Sequence, residues 1–429
     1  MSAAGPSTRR VLLASLVGTS VEFYDFYIYA TATSLVFGPL FFPASSPSAQ
    51  LLVAYASFGL AFLARPVGGM IFGHFGDRIG RKSTLVASLL LMGLSTAFIA
   101  LLPAYQSIGW WAPLLLCLLR LGQGIGLGGE WSGAALLAVE NAPEGWRGRF
   151  GSVPQLGAPI GFIAANGFFL LLGVWLPPDQ FARWGWRLPF LASVSLVALG
   201  LWVRLRLTET PDFRQAIEEA PPPAVPLGEV LRAHLAATVA GTFGVVACFA
   251  LYYIATAFAL GYGTTALGYA RQPFLGAQLI AILFMAAGIG LSGWASDRFK
   301  PAAVLLFGCA MTVFAGMLLA PLLGSGVLDK AFAFLSLALF AMGFVYGPLG
   351  AWLTGLFPAR VRYTATSLAF NVGGIIGGGL TPAIAQLLAQ RGGLSLVGFY
   401  LVAAAVLSAV GIVSAGIARS SREEYARSS

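Results

Sequence analysis

Charge is what this sequence has least of. Of its 429 residues only 10% are Asp, Glu, Lys or Arg, against about 25% in a soluble globular protein. Hydrophobic residues make up 58% and the mean hydropathy is +0.82, which excludes a water-soluble fold for the bulk of the chain. Histidine and cysteine are scarce as well. His74 and His234 fall near loop ends, while Cys117, Cys248 and Cys309 lie inside apolar runs without ligand spacing. No metal site, cofactor or disulfide framework is therefore expected. Strict alternation of apolar and polar residues is missing too, which argues against a transmembrane β-barrel. No Ser, His or Cys constellation has nucleophilic spacing, so an enzyme is not expected. The net charge of +9 is spread over short connections, which argues against a nucleic-acid partner. The residues from Met1 to Thr8 are small and uncharged, with no small-residue cleavage site after the first apolar run. That run is expected to belong to the mature chain.

What is present is a series of apolar stretches long enough to cross lipid as helices, which takes about 20 residues each. They fall at 10–37, 48–72, 83–103, 110–140, 148–176, 186–206, 233–262, 273–293, 301–324, 329–356, 364–390 and 394–418. The expected fold is an all-α membrane protein of twelve transmembrane helices. With the N-terminus inside, cytoplasmic segments hold eighteen of the basic residues and the other side five, so both termini are assigned to the cytoplasm. The longest polar connection, 208–231, carries Pro221, Pro222 and Pro223 and is read as a cytoplasmic linker between six-helix bundles at 1–207 and 232–429. The halves echo one another. Gly73, Asp77 and Arg78 recur 220 residues later as Gly293, Asp297 and Arg298, and Pro143, Arg147 and Ser152 recur 215 later as Pro358, Arg362 and Ser367. Two related six-helix repeats would give this pattern.

The loop running from Gly73 to Lys82 resembles the signature between helices two and three of the major facilitator superfamily. Further phrases narrow the likeness: GTSVEFYDFYIYA from Gly18, the run from Ala64 to Lys82, LGGEWSGAALLAVENAPEGWRG from Leu127, WGWRLPF from Trp184 and FPARVRYT from Phe357. Together they resemble the metabolite:proton symporter branch, which includes permeases for shikimate, citrate, α-ketoglutarate and proline/betaine. The resemblance implies two pseudo-symmetric six-helix bundles, a bacterial inner-membrane location, and symport of a small polar metabolite with protons by a chain expected to act as a monomer in the lipid bilayer. An exchanger or facilitator of the same fold is the first rival reading. A non-transporting membrane sensor is the second, and it would call for a sizeable soluble domain.

Charges at mid-bilayer cost about 2.5–3.5 kcal/mol each on insertion scales, so they mark function by default. Glu22, Asp25 and Glu130 are the acids that fall well within spans, and Arg65 and Arg120 the buried bases. Glu22, Asp25 and Tyr29 follow an i, i+3, i+7 spacing that puts them on one helix face, expected to line a central cavity. Asp25 and Arg120 both fall near mid-membrane and can meet there. They match by position the aspartate on helix one and the arginine on helix four of the superfamily's sugar/proton porters, so Asp25 is expected to carry the proton and Arg120 to tune it. Glu22, Glu130 and Arg65 are placed in a second, inner cluster that is either a proton relay or a structural network. A static, merely neutralising pair is the bland alternative for Asp25 and Arg120.

The second half carries no charge within its spans, so proton coupling is assigned to Asp25, Arg120, Glu22 and Glu130 of the first half. Substrate contacts are expected from Tyr29, Arg120, Gln123, Tyr252, Tyr253, Thr256, Gln278, Tyr346, Trp352 and Asn371, since buried Tyr and Trp combine a flat apolar face with one polar atom. Ordinary packing is the alternative for any single aromatic. With two buried cations each near a carboxylate, a monocarboxylate, zwitterion or polyol fits better than an ionised tricarboxylate. Arg65, Asp77, Arg78, Arg81, Arg147, Asp297, Arg298 and Arg362 are read as gate residues that hold the halves together on the cytoplasmic side, the alternative being a purely topogenic cluster. Gly124, Gly126 and Gly129 match a dinucleotide fingerprint, but they lie in an apolar helix with no preceding strand and are assigned to helix packing.

Overall fold

A chain in lipid must satisfy every backbone N–H and C=O internally, and among the described residues this one does so with helices and no strand. The computed structural model describes residues 6–43, 46–79, 81–205, 226–358 and 361–428, with side chains except at 6–11, 73–85, 203–205, 226 and 418–428. The first span, Pro6–Ala32, continues through a wide π turn at Thr33–Phe37 into Gly38–Phe41. Spans two to six are Pro47–Ile79, Arg81–Leu101, Trp111–Leu127 with Glu130–Glu140, Arg147–Ser152 with Gly157–Trp175, and Arg187–Leu205. The seventh runs Leu235–Tyr253, Ile254–Phe258 and Ala259–Thr265; the eighth, ninth and tenth are Arg271–Arg298, Pro301–Leu323, and Leu328–Tyr346 with Leu349–Thr354. The eleventh begins at Arg362–Gly374 and is parted from the twelfth by a kink at Gly392 and Gly393, where Gly393 takes φ 74°.

Among the described residues, eight helices are long and apolar enough to cross a bilayer unaided, one of them being the kinked run 362–417 that holds two spans. The sixth span is bent by 43° against Pro178–Gly185, and the third presents Val86–Leu101 as its apolar stretch. The first is less apolar because it carries Glu22, Asp25 and three tyrosines. Twelve spans result, as expected.

The duplication goes deeper than the sequence echoes. A π turn interrupts the first span at Thr33–Phe37 and the seventh at Ile254–Phe258. The fourth span breaks at 128–129 and the tenth at 347–348. Such interruptions leave backbone groups short of helical partners and are frequent at functional sites. Two seams join the halves, the second span packing on the eleventh and the fifth on the eighth. Of the expected linker, 208–231, residues 208–225 lie outside the described residues. Its last residues are helical, forming the start of Pro226–Ala233.

The glycine-rich stretch of the fourth span does what lipid-embedded packing requires. A Cβ on Gly124 would meet the carbonyl oxygen of Ala61, and one on Gly68 that of Ile125. The second and fourth spans thus touch backbone to backbone, and Arg65 and Arg120 of those spans both lie against the Phe26 ring, at 4.8 and 4.4 Å. Overpacking a close-packed site costs about 1–3 kcal/mol. Gly124→Val is therefore expected to lower the melting temperature in detergent by several degrees, whereas Gly167→Val, at a half-buried position where an added Cβ meets nothing within 4 Å, leaves it unchanged.

Candidate functional site

The first span presents two faces. At 100° per residue Glu22, Asp25 and Tyr29 fall within about 60° of one another, and Phe23 and Tyr27 project together about 100–140° round from Glu22. Glu22, Phe23 and Tyr27 line a cavity, whereas Asp25 bonds Thr96 of the third span and Tyr29 lies against Arg120 of the fourth. The three share a helix face, but the expectation that all of them line the cavity is corrected: of the three, Glu22 does.

The larger cavity lies between the halves and is lined by Glu22, Phe23, Tyr27, Arg65, Leu127, Trp131 and Ala158 from the first half and Cys248, Phe249, Tyr252, Tyr253, Met342, Tyr346, Phe370 and Asn371 from the second. A smaller one is lined among others by Tyr27, Thr31, Asn166, Tyr252, Thr256 and Gln278. The two share Tyr27 and Tyr252, whose rings stack at 5.3 Å and 29° and form the partition between them. Trp131 and Phe370 close another wall as parallel rings 3.6 Å apart. The hydroxyls of Tyr252 and Tyr346 and the Nε of Arg65 are buried without a hydrogen-bond partner.

Behind this cavity a chain of hydrogen bonds runs from a guanidinium to a carboxylate. Arg120 Nη1 donates to Gln123 Oε1 at 2.8 Å, Gln123 Nε2 to Thr96 Oγ1 at 2.7 Å, and Thr96 Oγ1 to Asp25 Oδ2 at 3.2 Å. Every donor in the chain points toward Asp25. The Thr96 hydroxyl also lies 3.0 Å from the carbonyl of Met92, so its single proton serves one acceptor or the other. Asp25 and Arg120 make no direct ion pair here. Gln123 and Thr96 stand between them, and Arg120 is instead caged by Tyr29, Phe26 and Phe58 at 4.0, 4.4 and 4.9 Å. Both ions are buried, at 1% and 0% exposure.

Of the expected substrate contacts, Tyr252, Tyr253, Tyr346 and Asn371 line the larger cavity and Thr256 and Gln278 the smaller. Arg120, Gln123 and Tyr29 line neither. Tyr29 bonds Ser57 at 3.0 Å and supports the Arg120 cage. Trp352 lines neither as well, its ring occupying the space left by Gly244 of the seventh span. Glu130, expected beside Glu22 and Arg65, accepts a bond from Ser88 at 2.9 Å and is absent from the lining they share. Tyr27, Trp131 and Thr96 were not singled out by the sequence reading. The i, i+4 pair Phe23 and Tyr27 was the signal for the cavity face.

At the end of the molecule that carries most of the basic loops, Asp297 of the eighth span reaches the start of the fifth. It accepts from the backbone N–H of Gly148 at 2.6 Å and of Arg149 at 3.4 Å, and pairs with Arg149 Nε at 3.1 Å. Arg362 meets Glu140 at 3.6 Å. Arg147 is exposed and makes no ion pair among the described residues, and Arg298 is exposed, lying over Trp294 of its own helix at 4.4 Å. The side chains of Asp77, Arg78 and Arg81 lie outside the described residues. Nearer the cavity, Asn371 Nδ2 donates to Gly128 O at 2.8 Å and Tyr363 to Gly129 O at 2.6 Å. On the other side of the cavity Ser34 and Tyr55 both donate to Ala257 O, at 3.1 and 2.8 Å. The halves therefore touch above and below the cavity, and the arrangement is occluded.

Comparison with known proteins agrees with this architecture. The family model of the Major Facilitator Superfamily matches residues 15–382. The chain is 48% identical over 412 residues to the inner membrane metabolite transport protein YhjE of Escherichia coli (strain K12), covering 95% of this chain and 94% of that protein. It is 38% identical to the shikimate transporter of the same organism over 94% of this chain and 93% of that protein. A crystal structure of a D-xylose–proton symporter superposes at a TM-score of 0.71 over 93% of this chain and 96% of that chain, a likeness of fold at 17% identity. The relatives are transporters and not enzymes. Full-length relatives, twelve spans in two related halves and a closed cavity between them lead to one assignment: the chain is a membrane transporter of the Major Facilitator Superfamily.

Proposed function

We propose that this chain carries a small organic acid or zwitterion across a bacterial inner membrane in symport with protons, by alternating access. The observation that carries the reading is the buried donor chain from Arg120 through Gln123 and Thr96 to Asp25. An aspartate at 1% exposure with one oxygen, Oδ1, left without a partner is a site where a proton can arrive and be held. The bond from Thr96 stabilises negative charge on Asp25, and that stabilisation is lost once Thr96 turns its proton to Met92. A rearrangement of the third or fourth span would thus alter the affinity of Asp25 for a proton without a direct salt bridge being broken.

The two bundles, residues 1–207 and 232–429, are proposed to rock about the cavity, with both termini in the cytoplasm as the basic-loop bias argues. The name of the shikimate relative supports the solute class, since shikimate is a ring compound with one carboxylate. In proteoliposomes an imposed inward proton gradient is expected to drive accumulation of one or more solutes from a panel of labelled organic acids, amino acids and betaines. Asp25→Asn is expected to abolish that uphill uptake while sparing exchange of solute for solute. Undiminished accumulation by the variant removes Asp25 from the mechanism.

Asp297 is proposed as the inner latch, because one carboxylate caps the fifth span and pairs with Arg149 across the seam. Hydrogen bonds to a charged group are worth about 1.5–3 kcal/mol, enough to move a two-state equilibrium about tenfold or more. Asp297→Ala should raise the labelling rate of a cysteine placed at position 371 by a cytoplasmic-side thiol reagent by that factor. Equal rates in variant and parent would show that the latch does not hold the inner side closed.

A further inference from the structure

Arg65 was grouped with the gate residues by its sequence position, yet the structure gives it a different setting. Its guanidinium sits in the wall of the larger cavity at 6% exposure, flanked by the rings of Phe26 and Phe62 at 4.8 and 4.9 Å. Among the described residues it makes no ion pair, and its Nε has no hydrogen-bond partner. Arg120 is unlike it, because a glutamine and a backbone carbonyl take two of its nitrogens and three rings surround it, away from either cavity. A guanidinium held out of water without an anion carries a desolvation penalty of several kcal/mol that ring faces offset only in part. The same cavity wall presents the hydroxyls of Tyr252 and Tyr346, both buried and both without partners. One planar cation and two hydroxyl donors converging on an enclosed space are the complement of a carboxylate.

We infer that Arg65 is the carboxylate-binding residue of the transport cavity, assisted by the Tyr252 and Tyr346 hydroxyls, and that the solute carries a single carboxylate on a compact body. The number one follows from Glu22, which lines the same cavity. A second solute carboxylate would bring another like charge into a low-dielectric space beside it. The parallel Trp131 and Phe370 rings and Phe249 make the rest of the wall flat and apolar, suiting a ring or a methylated body more than a chain of hydroxyls. The inference deepens the organic-acid reading proposed above and rests on it for the identity of the cavity, but not for proton coupling.

The test is equilibrium binding to the purified protein in detergent, without any pH gradient. Three matched probes are used, each as acid and as primary amide: cyclohexanecarboxylate, proline and trimethylglycine. At least one acid is expected to bind, with its amide about tenfold weaker or worse, the cost of a charge-assisted contact. Arg65→Gln should weaken the acid by the same factor and leave the amide where it was, while Arg65→Lys recovers part of the loss. Tyr346→Phe, which removes a single donor, should weaken the acid several-fold and keeps the question open to test if the arginine variants fail to fold. Binding of none of the acids, an amide that binds as tightly as its acid, or an unchanged acid affinity in Arg65→Gln overturns the assignment. Carboxylate-dependent binding without proton-driven uptake in liposomes would uphold Arg65 and remove the symport reading, so the two fail separately.

Discussion

Charged groups removed from both water and lipid must find compensation inside the protein, and the centre of this molecule is organised around three ways of supplying it. Arg120 is wrapped by three aromatic rings and tied to Gln123. Asp25 is reached by the hydroxyl of Thr96, Glu130 by that of Ser88. Arg65 lies between two phenylalanines and faces a cavity. Each solution needs helices at close quarters, and backbone contact at Gly68 and Gly124 brings the second and fourth spans near enough for Phe26 to lie against both arginines. Remove the compensation and the same residues would oppose folding by several kcal/mol apiece.

The contacts that cross between halves are of another kind. Several of them end on backbone carbonyls freed by breaks in helices: Ala257 in the π turn of the seventh span, Gly128 and Gly129 at the break of the fourth. A carbonyl acceptor is never fully used up and lets go without leaving a charge exposed. Such bonds are worth about 0.5–1.5 kcal/mol each, so a handful can close a face and still release it. The interruptions that duplicate between first and seventh, and fourth and tenth, spans thus supply the adhesive between the halves as well as the bends.

Duplication of shape goes with asymmetry of charge. Among the described residues, the first half holds the charged groups buried deep within spans, Glu22, Asp25, Arg65, Arg120 and Glu130, while the second answers with Tyr252, Tyr253, Tyr346 and Phe370. An ion chain confined to one bundle can sense the position of its own helices, and an uncharged wall opposite can meet a solute without competing for the proton.

Helix count, the two related halves, and the identity of the buried charges were all legible in the amino-acid order, because lipid imposes one rule on every segment and writes it as uninterrupted apolar length. The glycines of the fourth span were legible as packing residues for the same reason. Partner choice was not. Spacing brought Asp25 and Arg120 to one depth, but whether they touch depends on the rotation of two helices about their own axes, and Gln123 and Thr96 fill the gap between them. Spacing likewise put Tyr29 beside Glu22, where a 60° wide face divides between the cavity and the neighbouring spans. Asp297 pairs with Arg149, a residue that spacing does not mark, because its carboxylate also reaches the backbone N–H groups of Gly148 and Arg149 at the start of a helix. Sequence alone decided which side chains had to be accommodated in the membrane; the tertiary structure decided what accommodates them, since helical periodicity sets a direction and only packing sets a distance.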